Sequence, residues 1–527
     1  MTRLQAAIND DNRRWWTLGA MCFALFMVML DNTVVNVALP AIQADLDTSI
    51  AGLEWTVNAY TLSFAVLLVT GGRLGDIFGR RRVFLFGVVV FALASGLIGL
   101  AQTDTWLIAF RAVQGVGAAF MMPATLSIIA NAFPPHERGK AIGTWAGVSA
   151  MALAIGPVVG GFLVEHVSWQ SIFFLNLPVA ALAVFVTLAA AQESRDETST
   201  HHVDYAGVVT ISVGLGALVL ALVEGNSWGW GSPGILALVA TALVALAAFA
   251  VAERRSVEPM VDFRFFASRS FLGANIVAFV VSFAMLAMFF FLALYMQNIL
   301  GYSPLEAGIR FLPSTVVIIF VGPIAGRLTD AIGPRPLMTL GLVAVAISLF
   351  WQGHLAVDTG YGSLVGAFVL MGLGMGLVMS PMSTAAMNAV DQAKAGVASG
   401  VLSMSRMVGG TFGVAAMGAL ITGLGRGRID ELLPALPAPR REALVEGLGF
   451  GSGDASGPVA DAVREAFVHA LNNGLRIGAV VAALGAVAAA VLIADRPAPV
   501  AAPGAESAPE GAAGAPAGPP ITEPVHG

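Results

Sequence analysis

The chain has 527 residues, 57% of them hydrophobic and only 11% charged, with 27 Lys and Arg against 33 Asp and Glu for a formal net charge of −6. Soluble domains carry about 25% charged residues, so this length and a mean hydropathy of +0.81 exclude a water-soluble globule and make the lipid bilayer the expected solvent. The weak, dispersed charge excludes a nucleic-acid partner, and the lone cysteine, Cys22, excludes an intramolecular disulfide framework.

The polar N-terminus, residues 1–15, carries Arg3, Arg13 and Arg14. The apolar stretch after it contains Asp31, ends at Pro40 and lacks a small-residue cleavage site, so it reads as a first span and not as a removable signal peptide. A span needs roughly 20 apolar residues. Such runs follow at 51–72, 83–102, 106–131, 141–164, 171–191, 206–225, 233–252, 270–294, 307–326, 336–354, 362–386, 397–422 and 476–494. With 17–38 they predict an all-α membrane protein of fourteen spans, both termini on one side. Arg73, Arg80 to Arg82, Arg138, Lys140, Arg195, Arg254, Arg255, Arg264, Arg269, Arg327, Arg335 and Lys394 all fall on that side, while the short opposite loops hold essentially none apart from Arg310. Excess Lys and Arg marks the cytoplasm. Both termini are therefore expected there, and the protein in the cell inner (plasma) membrane.

A repeat organises the chain. Gly72-Arg73-Leu74-Gly75-Asp76-Ile77-Phe78-Gly79-Arg80 recurs 254 residues later around Gly326, Asp330 and Arg335, and Met122-Pro123 recurs as Ser380-Pro381. This predicts an N-terminal six-helix bundle over 16–195, two linker helices with flanking loops over 196–269, and a C-terminal six-helix bundle over 270–496. The second bundle carries a long outer loop at 423–474, with helical patterning at 440–448 and 459–471. The tail, 497–527, is rich in Ala, Pro and Gly and is expected to be disordered. Parallel repeats are a transporter plan, with the substrate between the halves near the midplane.

Asp31 is the only acid well inside a span, and an intramembrane carboxyl is a functional candidate by default. Arg111 is the only basic residue near the middle of the first six spans. At 1.5 Å per residue, Asp31 lies roughly 22 Å along its helix and Arg111 about 8 Å in from the opposite surface, a similar depth in a core of about 30 Å. A pairing is possible; packing by a neutral Asp31 and snorkelling by Arg111 are the plainer alternatives. Gly72, Gly75 and Gly79 permit a tight turn in which Asp76 meets Arg80 or a helix N-terminus. In Gly156-Pro157-Val158-Val159-Gly160-Gly161, small residues allow close helix contact and the proline removes a backbone hydrogen bond. Asn36, Asn58, Gln114, Tyr295 and Arg406 are candidate cavity residues, Arg406 with no acidic partner in the second half. No P-loop, metal frame or nucleophile elbow is present. No cofactor, metal or enzymatic activity is expected, and the drive must come from an ion gradient.

Four motifs carry a resemblance: Leu30-Asp31-Asn32-Thr33 through Asn36 to Pro40; Leu107, Arg111, Gln114, Gly115 and Gly117; the Gly72–Arg82 loop with its Asp330 copy; and Gly156 to Gly161. Together they resemble the major facilitator superfamily, and within it the fourteen-span drug:proton antiporters. The resemblance implies the major facilitator fold, two six-helix halves plus two inserted helices. It implies proton coupling by Asp31 and Arg111, a cytoplasmic gate of Gly72, Asp76, Gly79, Arg80 and Asp330, and an antiporter motif of Gly156, Pro157, Gly160 and Gly161. Pro334 interrupts the basic run of the second gate copy, and Ala152 stands where the antiporter motif usually has Gly. The implied activity is export of small lipophilic or cationic drugs in exchange for protons, by a monomer. Span 307–326 lacks an acid, which argues against dications. Export of one endogenous metabolite, peptide or lipid, a membrane enzyme or sensor, and a proton-coupled importer stay open at this point.

Overall fold

The computed structural model describes residues 8–9, 12–48, 50–195, 204–256, 259, 261–446, 448 and 457–494. Arg3 and the tail 497–527 lie outside the described residues. Among those described, the apolar runs are helices and no strand occurs. The first set is α1 (Arg13–Leu46), α2 (Ile50–Phe78), α3 (Arg80–Ile98), α4 (Asp104–Ala132), α5 (Pro135–His166) and α6 (Asn176–Ala190). Then come α7 (Tyr205–Trp228) and α8 (Pro233–Arg255). The second set is α9 (Arg269–Leu294), α10 (Leu312–Ile332), α11 (Pro334–Gln352), α12 (Tyr361–Asn388), α13 (Ala395–Leu432) and α14 (Pro458–Leu492).

Local chemistry sets several helix starts. Thr103, Ser232 and Ser268 accept from backbone N–H groups in the first turns of α4, α8 and α9, which would otherwise be orphaned. Thirteen of the long helices among the described residues are apolar enough to cross a membrane, and α5 is the one that falls short of that mark. The outer surface is apolar, with Val244 70% and Phe320 68% exposed, as expected of a wall that faces lipid.

The two sets pack alike. α1 lies on α5, α2 on α4 and α3 on α4, while α9 lies on α13, α10 on α12 and α11 on α12. This is two six-helix halves built on one plan. The inserted helices α7 and α8 pack on each other, and α7 reaches both α2 and α13, one from each half.

Some boundaries differ from the sequence reading. α1 runs past Pro40 to Leu46 and ends where Asp47 turns left-handed (φ 48°). α2 continues to Phe78, so Gly72 and Gly75 are helical and only Gly79 makes the turn, at φ 108°. Its counterpart Gly333 has φ 88°, and a side chain at either position would be strained. Much of the stretch read as an outer loop is helix, because α13 extends to Leu432, a short helix covers Ala438–Glu446 and α14 begins at Pro458. Ion pairs hold these extensions together: Arg428 bridges Glu431 (2.7 Å) and Glu465 (2.6 Å), and Arg441 meets Asp430 (2.8 Å).

Candidate functional site

Asp31 and Arg111 come together inside the first half. Arg111 Nη1 donates to Asp31 Oδ2 at 2.6 Å, and both residues are buried, 1% and 4% exposed. The other carboxylate oxygen, Oδ1, accepts from Gln114 Nε2 at 2.9 Å and Asn176 Nδ2 at 3.2 Å. Both amides also donate to Ser95 Oγ. Arg111 Nε donates to the Thr56 carbonyl at 3.0 Å, Nη1 also reaches Gln114 Oε1 at 2.6 Å, and the guanidinium lies 4.4 Å from the centre of the Tyr60 ring. Five helices, α1, α2, α3, α4 and α6, thus converge on the Asp31–Arg111 pair and its network. A buried ion pair tolerates desolvation only when its remaining donors and acceptors are satisfied, and these residues supply that satisfaction.

The glycine motif of α5 backs onto the same stretch of α1. A Cβ at Gly156 would collide with Thr33, and one at Gly160 would sit 3.0 Å from Val34. Gly161 faces open space, so it takes no part in this contact. Residue 157 lies within α5, and the side chain of Pro157 lies outside the described residues. The second half repeats the arrangement, with Gly409 and Gly413 of α13 against Phe279 and Phe283 of α9.

A second cluster joins the halves at one end of the bundle. Arg80 Nε and Nη2 donate to Asp76 Oδ1 at 2.9 and 2.8 Å, and Nη2 also donates to the carbonyls of Gln392 and Ala393, both at 2.7 Å. The Asp76 carboxylate accepts from the backbone N–H of Gly396 and of Val397, each at 2.9 Å. It therefore caps the N-terminus of α13, where the helix dipole favours a negative charge. Asp330 plays the matching part on α5, accepting from the N–H of Gly139 and of Lys140 at 3.1 Å each. Pro334, in the place equivalent to Arg80, opens α11 at its first turn, so this copy has the carboxylate cap without the arginine. Backbones approach closely here. A Cβ at Gly72 would strike the Gly396 carbonyl, one at Gly143 would lie 2.7 Å from the Gly322 carbonyl, and one at Gly326 would meet Gly139.

The remaining candidates separate. Gln114 is buried within the Asp31 network and does not line open space. Tyr295, expected at the cavity, is fully buried at the π-helical turn that ends α9, with its hydroxyl donating to the Ala356 carbonyl at 2.6 Å. Asn36 is exposed and donates to the Asn32 carbonyl; Asn58 is half-buried. Arg406 is partly buried, and its Nε has no hydrogen-bond partner.

Residues 21–414 match the Major Facilitator Superfamily. The tetracenomycin C resistance and export protein of Streptomyces glaucescens is 36% identical over 442 residues, 82% of this chain and 81% of that one. The puromycin resistance protein of Streptomyces alboniger is 38% identical over 423 residues, covering 79% and 84%. A multidrug resistance protein of Mycobacterium tuberculosis is 36% identical over 433 residues, covering 82% and 80%. Among solved structures, a proton:xylose symporter aligns over 91% of this chain and 95% of its own with a TM-score of 0.61 at 13% identity. That likeness speaks for the fold alone. The chain belongs to the major facilitator superfamily and is a multi-pass membrane transporter, not an enzyme.

Proposed function

We propose that this transporter exports small lipophilic molecules of the drug and antibiotic kind across the plasma membrane, in exchange for protons, by alternating access. The buried Asp31–Arg111 pair carries the reading, since an ionisable carboxyl this deep in a spanning bundle is a functional-site candidate by default. The names of the relatives supply the direction and the kind of cargo. The run of Lys and Arg supports both termini, and the Asp76–Arg80 latch, on the cytoplasmic side. The conformation described here is then closed towards the cytoplasm. One chain holds both halves, so a monomer suffices.

The proposed cycle follows from the contacts. A proton on Asp31 removes the charge that holds Arg111, which keeps only the Thr56 carbonyl, the Gln114 amide oxygen and the Tyr60 ring. α1 is thereby released from α4. α5 carries the change, because its Gly156 face touches α1 beside Asp31 while Gly139 and Gly143 touch α10 at the latch. Proton and cargo are coupled if each weakens the other's binding. The test is dye accumulation in inverted vesicles with an imposed pH gradient. Wild type should move dyes and antibiotics only while the gradient lasts, and Asp31→Asn should fall to the rate of vesicles without the protein. Full-rate, gradient-driven movement by Asp31→Asn would overturn the reading.

A further inference from the structure

Arg406 lies within one turn of the buried residues Leu402, Gly409 and Gly410 on α13, and Gly409 presses against Phe279 of α9. Residues three and four apart share a helix face, so the guanidinium sits in the second half and not in lipid. Its Nε is buried without a hydrogen-bond partner, and among the described residues no carboxylate acts on it. The buried acids are engaged elsewhere: Asp31 with Arg111, Asp76 with Arg80, and Asp330 with the backbone of α5, while Glu224 of α7 and Glu253 of α8 are buried with partners of their own.

A partly buried guanidinium without a counter-ion is costly. A ligand that brings a negative charge removes that cost, and the planar fork of arginine suits a carboxylate or phenolate. We infer that Arg406 binds an anionic group on the exported molecule. This rests on the export reading and adds the charge class of the cargo, where the family resemblance pointed to lipophilic or cationic compounds.

Two xanthene dyes of similar size and opposite charge, fluorescein and rhodamine 123, provide the test. Binding is measured on the purified full-length protein in phosphatidylcholine nanodiscs, and transport in vesicles. The ratio of fluorescein to rhodamine affinity should fall about tenfold or more in Arg406→Gln and less in Arg406→Lys, which keeps the charge but loses the fork. Arg406→Gln should melt no lower than wild type, because it removes an uncompensated charge, and fluorescein should raise the melting temperature of wild type alone. An unchanged affinity ratio, or a clear drop in melting temperature without ligand, makes Arg406 structural and overturns the inference. Loss of fluorescein binding when phosphatidylglycerol is added to the nanodiscs assigns the site to a lipid headgroup and overturns it as well. If neither dye is transported but the affinity ratio falls as stated, the export reading fails while the anion site stands.

Discussion

Arginine at position 111 does work that lysine cannot. Its guanidinium faces Asp31, Gln114, the Thr56 carbonyl and the Tyr60 ring at once, whereas an ammonium is a compact point charge without the fork. Arg111→Lys is therefore expected to slow gradient-driven export by about tenfold or more at normal membrane abundance, read in the same vesicle assay; an unchanged rate would reduce Arg111 to a source of charge. Asp31→Asn leaves a buried guanidinium without its counter-charge, a change that costs about 3–5 kcal/mol in comparable sites and should lower the melting temperature. Asp31 and Arg111 were legible because an ionised group in an apolar run stands out. Gln114 was visible by its spacing from Arg111, but its burial was not. Asn176, Ser95, Thr56 and Tyr60 escaped notice because single polar residues are common in spans, and only the packing of α2, α3 and α6 brings these four into the network around the Asp31–Arg111 pair. Asn176, set among Phe174, Leu175 and Leu177, was the one with a usable signal.

At the scale of elements, the latch is a contact between helix ends. Gly396 fits against the Gly72 carbonyl and the Asp76 carboxylate, so Gly396→Ala should pry α13 from α2. A shift of about 1.4 kcal/mol would change the open population on the order of tenfold. The readout is the labelling rate of a cysteine introduced at the exposed Asn131, which meets Gln392 of the other half at 2.6 Å. With Cys22 replaced by serine, Asn131→Cys should label faster when Gly396→Ala is added, and an equal rate would mean that the glycine pair does not hold the latch.

A neighbouring clasp ties the segment after α8 to the start of α13. Asp262 meets Arg264 at 2.8 Å and Lys394 at 3.2 Å. The Arg264 guanidinium, aided by Lys394, holds the Asp262 carboxyl down from its usual 3.8 to about 2. A depressed carboxyl stabilises the fold above its unfolded value, and that gain is lost as pH falls towards the folded one. The melting-temperature difference between wild type and Asp262→Asn should therefore stay constant from neutral pH to about pH 5, then shrink as pH falls from about 4 towards 2. A difference that persists at low pH would mean that the carboxylate charge is not what matters.

At the scale of the molecule, the repeat of Gly72–Arg80 around Gly326–Arg335 made the two-half plan readable, since each copy ends the second helix of its half and carries the turn into the third. The placement of α7 between α2 and α13 was not readable: both faces of α7 are apolar, and hydrophobicity alone does not say which neighbour covers a helix in lipid. The short helix Ala438–Glu446 and the start of α14 were partly visible as helical patterning at 440–448 and 459–471, but the extension of α13 to Leu432 was not. The ion pairs that make them continuous involve residues far apart in the chain, such as Arg428 and Glu465.

The same plan gives α5 two duties, touching α1 beside Asp31 through Gly156 and α10 at the latch through Gly139. Gly156→Ala should press on Thr33, disturb the Asp31 network and uncouple transport, so that dye still exchanges across the membrane but no longer accumulates against its gradient. The most direct test of the whole scheme is proton release on binding. Purified transporter in weakly buffered solution with a pH-sensitive dye is mixed with a saturating exported compound. Wild type should release about one proton per molecule, and Asp31→Asn none. Release of equal size by Asp31→Asn, or none from wild type, would contradict proton coupling through Asp31.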